Sequence, residues 1–553
     1  MKFRNPAETI PYPLNMRILI AVILALLSTG GALAQYTPPE PEETDTMTFF
    51  SDNDTRRLFP SRHLIFTPQR PDSADVARDR QKHFWRGAGE VFGLNMALWG
   101  LDRYILHGHY AYINLNTIKE NFRHGFSWDN DHLSTNMFAH PYNGSLFYEA
   151  GRSNGYNFWQ SGLFAVAGSA QWELFMEREY PSTNDIIATP IGGAALGEVF
   201  YRTSDIFLDD TTWGWERFER EAVAFIIAPM RGITRILSGK SWARRPTSGR
   251  RFGLPALSVQ VGLGARALLF HDDGNLSKAG GTMVLNVEYG DRYSPASRKP
   301  YDYFNVQVEL DVIKTQPILN RLEIRGRLLS RDLIDTKKCD LSVGMYQHFD
   351  FFDSDTITTR APENNLKPCV VPYKLGTPAS VGAGVMFRHV DEPRSVFEAY
   401  GHLNGVFLAG ILSDYYRYYH RNYNWASGLS LKTGVSLSLP RQRIQLLLAD
   451  RFYTLWTWNG WYRAIGRDIE PADRAMDVQG DSSTAFFNYM EFRMNYRVWN
   501  RIYATLGVDW YWRHTRYNDL SVYDGKEDTG WYVVNPRITS HQVCLYLMAT
   551  YEF

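Results

Sequence analysis

Val543-Cys544-Leu545-Tyr546-Leu547-Met548-Ala549-Thr550-Tyr551-Glu552-Phe553 closes the chain, and the way it is read decides the fold. Counted in twos, Tyr551, Ala549, Leu547, Leu545 and Val543 share one face; Glu552, Thr550, Met548, Tyr546 and Cys544 share the other. A period of two with one apolar and one mixed face is a β-strand. The same alternation recurs upstream. Phe304, Val306, Val308, Leu310 and Val312 interleave with Asn305, Gln307, Glu309 and Asp311, and Met490, Phe492, Met494 and Tyr496 with Glu491, Arg493 and Asn495. About twelve such segments can be marked, starting near residues 256, 281, 303, 319, 339, 379, 396, 424, 443, 483, 502 and 541.

The connections provide a second test. Asp391-Glu392-Pro393, Pro440-Arg441-Gln442 and Asn500-Arg501 follow even-numbered segments and are tight, whereas the fifth, ninth and eleventh are followed by roughly twenty residues each. An even strand count with short turns at one end and long loops at the other is the pattern of a transmembrane barrel whose N-terminus is periplasmic. A last strand ending on an aromatic residue also resembles the closing strand of bacterial outer-membrane barrels. The expected fold class is therefore α+β and multidomain: an N-terminal helical domain, then an antiparallel transmembrane β-barrel of about twelve strands over residues 256–553. Inward positions carry both signs (Glu309, Asp311, Glu323, Arg325, Arg327, Glu491, Arg493, Arg497, Asp509 and Arg513), which predicts a lumen that salt-bridges across itself.

Met16-Arg17, the apolar run Ile18–Leu27 and Ala32-Leu33-Ala34 read as a signal peptide over residues 1–34, with Met16 a candidate start. Its apolar run of about ten residues is half of the roughly twenty a spanning helix needs. Residues 35–71, rich in Pro, Thr, Asp and Glu, read as a flexible linker. The net charge of +0 from 59 basic and 59 acidic residues gives no electrostatic basis for a nucleic-acid partner. Partners implied instead are outer-membrane lipid, the barrel-assembly machinery during insertion, and a small-molecule or lipid ligand. Cys339, Cys369 and Cys544 are too few for a disulfide scaffold, though a Cys339–Cys369 bridge stays open.

Residues 72–245 read as helical. Asp72-Ser73 caps a run to Trp99, Phe158 to Glu179 forms another, Ser182-Thr183-Asn184-Asp185 looks like a capping box, and Trp215 to Leu237 precedes Gly239. Gly193 and Gly197 predict a close helix crossing. Candidate catalytic groups are His132, His140, Glu173, Glu177, Asp185 and Ser153; candidate binding groups are Asp129, Asp131, Asn136, Arg152, Asn184 and Glu198. On a straight helix His132 and His140 stand roughly 12 Å apart and cannot share an ion. With no H-E-x-x-H spacing, neither metal nor cofactor is expected. The carboxylates Glu173 and Glu177 suit acid–base work if unpaired; the plainer expectation pairs them with Arg152, Arg178 or Arg202. Gly151-Arg152-Ser153-Asn154-Gly155 matches G-x-S-x-G, but no strand-to-helix context surrounds it.

Asp129-Asn130-Asp131, Thr135-Asn136, His140-Pro141, Gly144, Arg152-Ser153-Asn154-Gly155, Trp172-Glu173, Asn184-Asp185, Thr189-Pro190 and Gly197-Glu198 together resemble a bacterial family known only as a domain of unknown function, family 3943. The resemblance covers about a fifth of the chain, implies a polar centre inside a small helical module, and transfers no activity. The functional expectation is an outer-membrane barrel whose helical domain, at the periplasmic mouth, binds a small solute or lipid or gates its passage. Alternatives are a hydrolase of envelope lipid, with an enzymatic role the less favoured, and a purely structural envelope protein.

Overall fold

The computed structural model describes residues 65–270, 276–293, 299–355, 371–391, 395–416, 420–440, 443–461, 476–518 and 536–553. The signal peptide, most of the linker and Cys369, hence the proposed bridge to Cys339, lie outside them.

Twelve antiparallel strands close into one barrel, β1 (Leu257–Phe270), β2 (Leu276–Tyr289), β3 (Phe304–Val312), β4 (Leu319–Asp335), β5 (Cys339–Asp353), β6 (Lys374–Asp391), β7 (Ser395–Leu412), β8 (Tyr423–Ser438), β9 (Ile444–Trp456), β10 (Ser483–Trp499), β11 (Ile502–Tyr517) and β12 (Arg537–Glu552). The terminal strand seals the cylinder by pairing with β1, Leu263 opposite Ala549 and Ala267 opposite Leu545. Few residues separate β4 from β5, β6 from β7, β8 from β9 and β10 from β11, whereas β5 and β6, β9 and β10, and β11 and β12 are far apart in sequence. The connection after β2 is the exception. Residues 290–303 are longer than a tight turn, and Tyr301 there is fully buried.

Alternation sorts the side chains as the sequence predicts. On β9–β12, Leu448, Met490, Phe492, Leu506, Leu545 and Leu547 point outward and are exposed. Trp458 and Trp499, both largely exposed, stand at opposite rims, where interfacial aromatics anchor a membrane barrel. Inside, Arg266 meets Asp311 at 2.8 Å, Arg321 meets Glu309 at 3.0 Å, and Arg451 meets Glu323 at 3.0 Å and Glu491 at 3.1 Å. Toward the long-loop rim Tyr373 stacks on Tyr511 at 4.0 Å and Tyr489 on Tyr511 at 4.7 Å, with Phe352 and Phe487 beside them. A cavity of about 130 Å³, lined by Gln260, Asn286, Gln307, Ser436 and Asn495 among others, remains toward the short-turn rim. Ion pairs and rings therefore fill the middle of the lumen.

Among the described residues eight helices precede the barrel: α1 (Ser73–Asp79), α2 (Phe84–Tyr104), α3 (Leu115–His124), α4 (His140–Ser153), α5 (Phe158–Gln171), α6 (Thr183–Phe207), α7 (Gly214–Ile227) and α8 (Pro229–Leu237). Asp72 caps α1 as expected, but that run breaks after Asp79 and α2 continues past Gly100. The run predicted from Trp215 to Leu237 divides at Pro229, which begins α8. Ser182 makes no capping bond and Asp185 is buried instead, so the expected capping box does not form. Gly193 does mark a close crossing, since a Cβ there would stand 2.5 Å from the Gly144 carbonyl carbon.

The helical unit was expected at the barrel mouth. Its described contacts run instead along the outer wall. Phe349 and Phe351 alternate with the inward Asp350, so they face out, yet both are fully buried, with Phe351 against Phe138. Gly376 and Gly410, also outward, leave room for Met137. Gln347 donates to the Ile191 carbonyl at 2.9 Å, and Leu257, Leu285 and Val308 join the helical core cluster. The unit thus packs against part of the wall of β1–β7 and reaches the start of β8, while Leu448, Met490, Leu506 and Leu547 on β9–β12 stay exposed.

Its far side is apolar. Phe84, Trp85, Phe92 and Met96 of α2 and Trp159, Leu163 and Val166 of α5 are exposed. The polar residues of α2 turn inward: Glu90 accepts from Asn154 and Thr234, and Asn95 donates to the Gly168 carbonyl. That is the polarity of a protein face turned toward lipid. Among the described residues no helix is long and apolar enough to cross a membrane by itself.

Candidate functional site

Two polar centres lie along α6, one at its start and one around Glu198, about 20 Å of helix beyond Asp185. At its start, a five-residue π-helical turn, Thr135–Ala139, leads into α4, and a second, Trp172–Met176, follows α5. Such turns re-aim side chains and gather at functional sites. Here both lead to the N-terminus of α6: His140 follows the first turn and Glu173 lies in the second. The Ser127 amide donates to the Pro181 carbonyl and the Thr183 amide to the Ser127 carbonyl, which brings Asp129 beside Asn184 and Asp185.

The geometry of this cluster is closely specified. Asn184 Oδ1 accepts from the Asp129 amide at 2.9 Å, and Asn184 Nδ2 donates to Asp185 Oδ1 at 2.8 Å. His140 Nε2 stands 3.8 Å from Asp185 Oδ2. One donor atom each from Asp129, His140 and Asp185 lies within 4.8 Å of the others. Glu173 accepts from the Ser182 amide at 2.7 Å. The barrel completes the wall from its long-loop rim: Arg421 donates to the Asp129 carbonyl at 2.9 Å, and Tyr423 to the Asp131 carbonyl at 3.1 Å. Asn136 donates to the Tyr423 hydroxyl at 2.7 Å.

Negative charge is crowded here. Among the described residues no lysine or arginine forms an ion pair with Asp129, Asp131, Glu173, Glu177 or Asp185; the plainer expectation of an arginine partner is not met. Burial, and then Asp185 and Glu177, raise the Glu173 carboxyl well above its usual range. Burial first, with Asp129 and Asp185 adding to it, pushes Glu177 up to about 8 against the lowering bond from Trp172. A raised carboxyl adds stability that is complete below its unfolded pKa and lost as pH climbs through the folded one. In chelator-treated protein, hydrogen-exchange stability of this region should therefore fall between about pH 5 and pH 8, and Glu177→Gln should flatten that fall. An unchanged slope in the variant would refute the assignment.

The remaining predicted residues go elsewhere. His132 lies against His420, ring centroids 4.5 Å apart and tilted, outside the cluster. Ser153 ends α4, about 20 Å of helix from His140, so serine, histidine and carboxylate form no triad. Further along α6, Glu198 takes Arg152 in a fork (2.6 and 2.8 Å), Arg202 at 2.8 Å and the Tyr148 hydroxyl at 2.8 Å, all buried. Burial works against that carboxylate's charge, but Arg152 and Arg202 still hold it below the usual range. Arg152 and Glu198, marked as binding residues, neutralise each other and lock α4 to α6. Sequence reading missed Arg421, Tyr423 and Trp425; the only available signal was an aromatic and basic run opening a strand.

Together these features define a closed membrane-type β-barrel carrying a helical unit on its outer wall, with a carboxylate–histidine cluster at the seam. Residues 125–230, which hold that cluster, match the family described as "Domain of unknown function (DUF3943)". The sequence matches no curated protein. Among solved structures, the NanC porin resembles 53% of this chain over 98% of its own at 10% identity (TM-score 0.22). The toluene transporter TbuX of Ralstonia pickettii does so over 54% and 90% at 9% identity (TM-score 0.21), and the channel DcaP of Acinetobacter baumannii over 54% and 96% at 10% identity (TM-score 0.20). Likeness at that level says nothing about function.

Proposed function

We propose that this is an outer-membrane protein whose helical unit binds an envelope lipid and governs its passage beside the barrel. The observation that carries the reading is the placement of the helices: they pack against part of the outer wall of β1–β7 and turn Trp159, Leu163, Phe92 and Met96 away from the protein. An apolar surface of that size outside a folded unit calls for a partner, and acyl chains are the one at hand. Passage through the lumen has no comparable support, because Arg266, Arg321 and Arg451 with their carboxylates, and the rings of Tyr373, Tyr489 and Tyr511, fill it.

Full-length protein in planar bilayers should show no discrete conductance steps, and protein extracted in mild detergent should retain lipid that the double variant Trp159→Ser, Leu163→Ser loses. Stepwise conductance, or equal lipid content in both proteins, would overturn the reading. The crowded carboxylates and His140 favour a second one, a hydrolase of envelope lipid without a serine nucleophile. Matching lipid profiles in cells producing wild type or His140→Ala would eliminate it.

A further inference from the structure

We propose that Asp129, His140 and Asp185 form a binding site for one divalent transition-metal cation, such as Zn²⁺ or Mn²⁺. This inference is independent of the lipid reading. Two carboxylates and an imidazole are a donor set for such ions. Their donor atoms lie within 4.8 Å of one another, close enough that small side-chain rotations bring them to the roughly 3.3–3.6 Å spacing of ligands held tetrahedrally by bonds of about 2.0–2.2 Å.

Three further features point to an occupant. Glu173 and Glu177 add carboxylates beside the set, and none of these acids has a lysine or arginine in an ion pair among the described residues. Asn136 is fully buried in the π-helical turn before His140, and its Oδ1 has no hydrogen-bond partner. Its amide nitrogen is tied to Tyr423, whose hydroxyl bonds the Asp131 carbonyl, so the free oxygen belongs to the wall of this cluster. The donors are also held in place from behind. Asn184 bonds both Asp185 and the Asp129 backbone, and outer-layer bonds of this kind orient metal ligands. His140 is half-buried with its side chain 17% exposed, which leaves a route of entry.

Full-length protein in detergent, stripped with EDTA and dialysed against Zn²⁺ or Mn²⁺, should hold one ion per chain at this site. Cys339 Sγ and His389 Nδ1 lie 3.0 Å apart on the barrel, so the Zn²⁺ measurement uses a Cys339→Ser background. Asp185→Asn and His140→Gln, which preserve shape, should each weaken binding at least about tenfold. His132→Ala, on the same segment but outside the cluster, should leave affinity unchanged. Hydrogen exchange across α4 and α6 checks that each variant stays folded, and a variant that fails is replaced by Asp129→Asn. Substoichiometric binding in the wild type, or equal affinity in all folded variants, overturns the proposal.

Discussion

Glu198→Ala should destabilise the helical unit by about 3–5 kcal/mol, the largest single-residue effect expected in this protein. The carboxylate is fully buried and is the shared partner of Arg152 and Arg202, themselves nearly excluded from solvent. Removing it leaves two guanidinium groups facing each other without a counter-charge, and the Tyr148 hydroxyl without an acceptor. Hydrogen exchange of α4 and α6 amides should accelerate by two to three decades, since about 1.4 kcal/mol corresponds to tenfold. A triple variant, Glu198→Leu with Arg152→Met and Arg202→Met, should recover much of the loss because no charge is left buried. If Glu198→Ala exchanges like wild type, the triad is not the lock described here. The barrel strands, stabilised by their own closed ladder of hydrogen bonds, should not respond.

Gly144→Ala should be nearly as damaging, through sterics rather than charge. A Cβ on Gly144 would sit 1.9 Å from the Thr189 carbonyl oxygen and 2.7 Å from its carbon, so backbone must move. Gly193 approaches the same crossing from the other helix. Overpacking of this kind costs about 1–3 kcal/mol, and a contact with rigid backbone belongs at the upper end. The expected result is one to two decades of faster exchange in α4 and α6, while Gly93→Ala, which meets no atom within 4 Å, stays neutral or gains slightly. Equal behaviour of the two alanine variants would mean that α4 and α6 do not pack as closely as drawn.

Period-two alternation made the barrel legible because a strand's side chains must sort between lipid and lumen at every residue. Strand count, closure by Val543–Glu552 and the internal salt bridges all follow from that constraint. Loop length carried information too, and the one connection after an even-numbered strand that departs from it, residues 290–303, is where Tyr301 is buried beneath the helical unit and stacks on Phe158. Helix ends were less legible: Gly100 did not end α2, and Asp185 abandoned its capping role for the cluster. Both departures come from tertiary packing prevailing over local preference.

The cluster shows the limit most clearly. Helical geometry rightly separated His132 from His140, but no spacing rule joins His140 to Asp129 and Asp185. Those three converge through two π-helical turns and a backbone contact between Ser127 and Thr183, features without a sequence period. The amino-acid order alone determined that the second half closes into an inside-out cylinder, because hydrocarbon outside and charge within can be satisfied in only one register. Tertiary structure alone decided that the helices stand against the wall instead of in the mouth. That choice depends on matching two apolar surfaces, Phe349, Phe351 and Leu285 with Phe138, Met137 and Leu133, and complementarity between distant surfaces leaves no local pattern to read.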